Sequence, residues 1–115
     1  LDGCSLGGRV SLEVFLRYPE HFSAWGGVQA ALGRERAEAT AERMAEALAR
    51  VGPRPVHLLT SGSDPFRVAN EALAAALAKR GVVHTLRVLR GPHDQAWLRE
   101  AGTLEMLLWH DRQSV

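Results

Sequence analysis

The chain has a single cysteine, Cys4, among its 115 residues. One cysteine cannot form an intrachain disulfide, and it is too few for a cysteine-based zinc site. Long apolar runs are also missing, since the longest are a few residues and a membrane-spanning helix needs about 20. The net charge is only +1, from 14 basic and 13 acidic side chains. Like charges never run beyond two residues, so a basic surface for nucleic acid is not expected.

What remains is the composition of an ordinary soluble globular domain. Hydrophobic residues make up 46% of the chain and charged residues 23%, close to the average for such domains. A chain of this length buries about two-thirds of the surface that its unfolded form exposes, which is enough for one hydrophobic core. We therefore expect one domain at most.

Apolar periodicity divides the chain into alternating strands and helices. The pattern predicts helices over 9–18, 34–51, from Pro65 to about 80, and 95–109, and strands over 22–28, 55–61 and 82–89. Prolines and glycines mark the boundaries, with Gly81 placed as a left-handed helix cap. Each predicted helix has an apolar stripe that is expected to be buried. The stripes are Val10, Val14 and Tyr18 with Phe15 beside them; Ala37, Ala41, Met44, Ala45, Leu48 and Val51; Val68, Ala69, Ala72, Leu73, Ala76 and Leu77; and Trp97, Ala101, Leu104 and Leu108. Gly102 is expected to weaken that last helix by about 1 kcal/mol.

Strict alternation of short apolar strands with amphipathic helices predicts an α/β fold, a parallel sheet with helices on both faces. Ligands bind such sheets at the carboxyl ends of the strands. Three reactive side chains follow strands in this sequence: Ser5, Asp64 and His93. A hydroxyl, a carboxylate and an imidazole at one sheet edge are the parts of a nucleophile, an orienting acid and a general base.

Ser5 lies in a G-x-S-x-G motif, Gly3-Cys4-Ser5-Leu6-Gly7. This spacing is typical of a tight, strained strand-to-helix turn that lifts the serine hydroxyl clear of the sheet. We expect both glycines to be needed because neighbouring β-carbons would collide there. The backbone N–H of Leu6 would begin the helix and face a developing oxyanion.

With these motifs the chain resembles the α/β-hydrolase superfamily, and within it the esterases that include esterase D and enterochelin-esterase-like enzymes. The similar segments are GCSLGGRVSLEVFLRYPEHFSAWGG, LLTSGSDPF and LRGPHDQAW. The resemblance implies Ser5 as nucleophile, Asp64 as acid and His93 as base. It also implies hydrolysis of a small-molecule carboxylic ester through an acyl-enzyme intermediate, with no cofactor.

The resemblance covers only the second half of such a domain, so residues 1–115 are expected to be the C-terminal portion of one α/β-hydrolase catalytic domain. The second oxyanion donor of this family comes from a loop after an earlier strand. We therefore expect the chain alone to be inactive or nearly so. The missing N-terminal half, or a second copy in a homo-oligomer, would cover the open sheet edge next to the Ser5 strand.

Each motif also has a plainer interpretation. Asp64 alone could be a helix N-cap ahead of Pro65, His93 alone could be an ordinary surface histidine, and Asp94 is an alternative acid. His57 is expected to be a satisfied core histidine, and His21, His84 and His110 lack the spacing of metal ligands. Cys4 is expected to pack beneath the turn, and the loop 29–33 and the helix after it to line one side of the substrate pocket. The alternative functions are acyl transfer by the same three residues and a non-catalytic hydrolase-like binding or assembly module.

Overall fold

A computed structural model describes residues 1–113. The strands and helices of this part are β1 (Asp2–Cys4), α1 (Leu6–Arg17), β2 (Trp25–Val28), α2 (Ala37–Val51), β3 (Val56–Ser63), α3 (Arg67–Lys79), β4 (Thr85–Pro92), α4 (Gln95–Trp97) and α5 (Thr103–Gln113). Short 3₁₀ turns occupy Pro19–His21 and Arg34–Arg36, and a π-helical turn, Leu98–Gly102, joins α4 to α5. None of the helices in this part is long and apolar enough to cross a membrane.

The four strands form one parallel sheet in the order β1-β2-β3-β4. Two hydrophobic clusters lie on its faces, one shared with α1, α2 and α3 and the other with α4 and α5. The structure therefore confirms the α/β prediction of a parallel sheet with helices on both faces. Because the strands run the same way, the residues that follow all four of them meet at one edge.

The first helix presents a different face from the predicted one. Val10, Val14 and Tyr18 are exposed, and the buried positions of α1 are Gly8, Ser11, Leu12, Phe15 and Leu16. The reason lies at the start of the helix, where Gly8 contacts the segment after β2 so closely that an added Cβ would lie 2.6 Å from the Ala30 Cβ. That contact fixes the rotation of the helix, and positions three and four residues later follow Gly8 toward the sheet.

The C-terminal helix departs from the predicted stripe because of its π turn. Trp97 is buried as predicted, but Leu104 and Leu108 are exposed, and Gly102, Met106 and Trp109 are buried in their place. A π turn inserts an extra residue into the helix, so the buried face moves out of phase with a period of 3.6. Gly102 is explained by packing, since a Cβ there would lie 2.8 Å from Val28 Cγ1.

The remaining predicted elements occur close to their expected places. Strand β2 starts three residues later than predicted, and β4 is displaced toward Pro92. The α2 stripe is buried as expected at Ala37, Ala41 and Met44. The α3 stripe is buried at Ala69, Leu73, Ala76 and Leu77, but Val68 is exposed because it lies at the edge of the buried face. Gly81 adopts a positive φ of 72° directly after α3, in agreement with its predicted role.

His57 is buried in β3, as expected, but it is not fully satisfied. Its ring stacks on Trp109 with centroids 5.0 Å apart, and Nδ1 lies 2.5 Å from Thr85 Oγ1. Nε2 is buried with no hydrogen-bond partner. Burial lowers the pKa of His57 to about 4, although the charge of Glu105 acts in the opposite direction.

Acid is therefore expected to destabilise the fold through His57. The pKa is about 4 in the folded protein and 6.5 in the unfolded chain, so the folded state binds fewer protons between these values. The free energy of unfolding therefore has its full value above pH 6.5 and falls as the pH decreases toward 4, by a total of about 3 kcal/mol. Urea unfolding near pH 7 and near pH 4 measures this loss.

The matched control is His57→Phe, which keeps a ring against Trp109 but cannot titrate. Its acid loss of stability should be smaller than that of the unmodified protein by about 3 kcal/mol. Equal acid losses in the two proteins would show that His57 does not contribute to the pH dependence.

Candidate active site

Ser5 occupies the sharp turn between β1 and α1. Its backbone has φ 53° and ψ −117°, a conformation that costs a non-glycine residue about 1–3 kcal/mol. Hydrogen bonds on both sides hold it there. The Ser5 N–H donates to Val28 O at 2.8 Å, and the Ser5 carbonyl accepts from Ala31 N–H at 2.9 Å and Gly8 N–H at 3.0 Å. The segment after β2 therefore holds the strained turn at both its N–H and its carbonyl.

The two motif glycines have different roles. A Cβ on Gly3 would lie 2.1 Å from the carbonyl oxygen of Gly7, whereas a Cβ on Gly7 would meet nothing within 4 Å. The expectation that both are sterically required is confirmed for Gly3 and wrong for Gly7. The second sterically required glycine is Gly8, at its contact with Ala30.

The structure brings the three predicted site residues into one hydrogen-bonded chain. His93 Nε2 lies 3.0 Å from Ser5 Oγ, and His93 Nδ1 lies 2.9 Å from Asp64 Oδ1. Because an ionised carboxylate can only accept, Nδ1 carries the proton and Nε2 accepts from the serine hydroxyl. The three residues lie 88 and 29 positions apart in the chain, and the ends of three parallel strands bring them together.

The Asp64 side chain is fully buried. Thr60 Oγ1 donates to its Oδ2 at 2.6 Å, and Phe66 N–H donates to its Oδ1 at 3.0 Å. Asp64 is not the N-cap of α3, which is Phe66; its carboxylate accepts within the turn before the helix and also contacts His93. Sequence reasoning missed Thr60, although a hydroxyl four residues before the acid in a buried strand is a usable signal.

His93 lies in the turn that joins the end of β4 to α4, residues 91–94, called here the histidine turn, which is shaped by Gly91, Pro92 and Asp94. Gly91 has φ 129°, and a Cβ there would lie 2.3 Å from Trp97 Cδ1. The Asp94 carboxylate accepts from Trp97 N–H at 2.8 Å as the N-cap of α4. Asp94 is therefore a helix cap in this structure, and the carboxylate on His93 is that of Asp64.

The backbone N–H of Leu6 lies at the first position of α1. The first N–H groups of a helix have no intrahelical partner and carry the positive end of the helix dipole. Here Gly8 N–H and Arg9 N–H donate to the Ser5 carbonyl. An anion forming next to Ser5 would meet the remaining N–H groups of this turn, with Leu6 first.

One expectation about a neighbouring residue is wrong. Cys4 is exposed and does not pack beneath the turn. Partial burial of its thiol, together with the charge of Asp2, raises the Cys4 pKa, so the thiol is a weak nucleophile. In the loop 29–33, Gln29 is completely buried, whereas Leu32, Gly33 and the start of the following helix line a cavity next to Leu6. Within residues 1–113, no three His, Cys, Asp or Glu side chains are arranged to hold a metal ion.

No protein-family model matches the chain, and no curated protein is significantly similar to it. Interpretation of the site therefore depends on its geometry. An imidazole between a buried carboxylate and a strained serine can take the hydroxyl proton while the serine oxygen attacks an electrophile.

Proposed function

We propose that the chain carries the catalytic residues of a serine carboxylic-ester hydrolase that acts on a small-molecule ester. The observation that carries this proposal is the hydrogen-bonded chain Ser5–His93–Asp64, with Ser5 in a positive-φ turn at the start of α1. A surface serine would need neither the strain nor a histidine backed by a buried acid. The sequence resemblance to α/β-hydrolase esterases, second half only, supports the same class.

In the proposed reaction, His93 Nε2 takes the proton of the Ser5 hydroxyl as Oγ bonds to the ester carbonyl carbon. The N–H of Leu6 donates to the oxyanion. Collapse of the tetrahedral intermediate breaks the bond to the alcohol, which leaves with the proton from His93. His93 then takes a proton from water as the water oxygen attacks the acyl carbon, and it returns that proton to Ser5 Oγ as the bond between Oγ and the acyl carbon breaks, which releases the acid and restores the Ser5 hydroxyl. Asp64 stabilises the imidazolium in both steps, and no cofactor takes part.

We expect the activity of residues 1–115 alone to be low. Serine hydrolases of this class use a second backbone oxyanion donor from a loop that precedes the nucleophile strand. Removal of one oxyanion donor typically costs about 10²–10³ in rate. The proposal is therefore that Ser5 is acylated slowly by this chain and faster when a second donor is supplied.

A second candidate function is that of a non-catalytic assembly module, and one surface favours it. Leu6, Val10, Val14 and Tyr18 form an exposed apolar stripe on α1, and β1 lies at an open edge of the sheet. Exposed apolar patches of this kind mark interaction sites. In this interpretation a second copy of the chain covers the stripe and the edge, and the Ser5 site has no chemical role.

Labelling with a fluorophosphonate distinguishes the two functions, because such reagents phosphonylate a serine, with loss of fluoride, only where a base activates it. The esterase proposal predicts a covalent adduct on Ser5 by peptide mass spectrometry, together with slow, serine-dependent turnover of p-nitrophenyl acetate. Ser5→Ala is the matched control. No adduct after prolonged incubation of folded protein, together with a dimer by sedimentation velocity, would contradict the esterase and favour the assembly module.

A further inference from the structure

Every strand of the sheet is followed by a polar residue at its carboxyl end, and the proposed mechanism uses only three of the four. Ser5 follows β1, and Asp64 and His93 follow β3 and β4. The fourth is Gln29, which follows β2. It is completely buried and has φ 47°, one of two positive-φ non-glycine residues among those that the structure describes. A buried, strained amide at the centre of this edge requires an explanation.

The Gln29 side chain contacts the turn that carries the base. Its Nε2 donates to the carbonyl oxygen of Pro92 at 3.0 Å and to Ser61 Oγ at 2.7 Å. Both N–H bonds of the amide are thus used, and the bond to Pro92 holds the peptide directly before His93. The ladder between β3 and β4 is irregular at this point, between Ser61 and Ser63. The Gln29 side chain therefore fixes the histidine turn where regular strand pairing fails.

Packing alone does not account for this residue. Gln29 Oε1 is buried with no hydrogen-bond partner, and an unpaired buried carbonyl costs about 1–3 kcal/mol. An apolar side chain of similar length would avoid this cost. The retained amide therefore points to a need for the donor.

The segment 28–31, which contains Gln29, also contacts the turns that carry Ser5 and Asp64. Val28 O and Ala31 N–H hold the backbone of Ser5, as described above. The Asn70 side chain donates to Ala30 O at 3.0 Å and to Phe66 O at 2.8 Å, which ties the acid turn to this segment. Residues 28–31 thus contact the three turns that carry Ser5, Asp64 and His93. Within this segment, Gln29 makes the contact with the histidine turn.

We propose that Gln29 is a positioning residue that holds the Pro92 carbonyl, and with it His93, at proton-transfer distance from Ser5. The inference rests on the proposed function for its catalytic consequence, but not for the geometry that it predicts. A misplacement of about 1 Å in a catalytic group can cost about 10²-fold in rate. We therefore expect loss of the Gln29 donor to slow Ser5 acylation without unfolding the protein.

The test is Gln29→Met, which keeps the length of the side chain and removes the donor. We expect a 10- to 100-fold lower rate of fluorophosphonate labelling, about the cost of such a misplacement. The midpoint of the pH dependence of the labelling rate should shift, and the urea concentration at the midpoint of unfolding should not change. Ser61→Ala is the comparison variant, because it removes the longer bond from Ser61 Oγ to Pro92 O, 3.4 Å, and keeps the shorter Gln29–Pro92 bond. Its labelling rate should stay within about three-fold of the wild-type rate. A wild-type rate and pH midpoint in Gln29→Met would overturn the proposal, as would an equal loss in Ser61→Ala.

Two further measurements keep the test decisive. If Gln29→Met fails to fold, Gln29→Gly replaces it, because glycine adopts a positive φ without strain. If wild-type Ser5 is not labelled at all, the esterase proposal fails and nuclear magnetic resonance decides this one. The His93 Nδ1 proton, which is donated to Asp64, should give a downfield resonance in the wild type. The intensity of this resonance should be lower in the Gln29 variant. An unchanged resonance would overturn the positioning role.

Discussion

Replacing His93 by alanine is expected to reduce Ser5 acylation to the background rate, a loss of about 10³–10⁴-fold. In a complete serine hydrolase, removal of the histidine costs about 10⁶ in kcat. The expected starting rate here is lower by about 10²–10³, because the proposed site has one assigned oxyanion donor, the Leu6 N–H. The His93 side chain is about one-fifth exposed, so its removal should leave the fold intact. The measurement is the pseudo-first-order rate of fluorophosphonate labelling.

Asp64→Asn provides a graded comparison, because the structure predicts a smaller loss. Asp64 Oδ1 accepts from His93 and Phe66, while Oδ2 accepts from Thr60. An asparagine can keep its carbonyl at the Oδ1 position and donate its amide to the Thr60 hydroxyl, so the histidine tautomer is preserved. Only the charge is lost, which corresponds to a labelling rate lower by about 10- to 150-fold, the value of a hydrogen bond to a charged group.

Labelling of His93→Ala at the wild-type rate would refute the role of His93 as the base.

Gly3→Ala is expected to lower the free energy of unfolding by about 3 kcal/mol or more, or to prevent folding. The new Cβ would lie 2.1 Å from the Gly7 carbonyl oxygen and 2.8 Å from Gly8 N. These are backbone atoms of the first turn of α1, so no side chain can rotate away. Relief of the clash requires the turn that carries Ser5 to open.

Gly7→Ala is the matched control within the same motif. The space around Gly7 is open and the residue lies within α1, so alanine should leave stability unchanged or raise it by up to about 1 kcal/mol. Urea unfolding followed by tryptophan fluorescence measures both variants. Equal destabilisation by the two substitutions would mean that the turn is not built around the close contact at Gly3.

Local chemistry made the order of elements and the three site residues predictable. Glycine and proline interrupt the chain where turns occur, and apolar runs between them have the lengths of strands and helices. Once the strands are parallel, Ser5, Asp64 and His93 must lie at the same edge, because each follows a strand. No packing detail is needed for this conclusion.

Residues whose roles depend on contacts between distant elements were not predicted. Gln29 looks like an ordinary polar residue in the sequence, since its partner Pro92 lies 63 positions away and only the folded sheet brings the two together. The buried face of α1 was mispredicted for the same reason, as the Gly8–Ala30 contact that fixes its rotation joins two separate elements.

By itself, then, the sequence determined the parallel α/β architecture and the placement of Ser5, Asp64 and His93 at one edge of the sheet, because both follow from short-range pattern and strand direction. Only the tertiary structure decided which helix faces are buried, which glycines are sterically required, and that Gln29 joins the histidine turn to the rest of the site. Those properties depend on distances of a few ångströms between elements far apart in the chain, and a period of 3.6 residues contains no information about them.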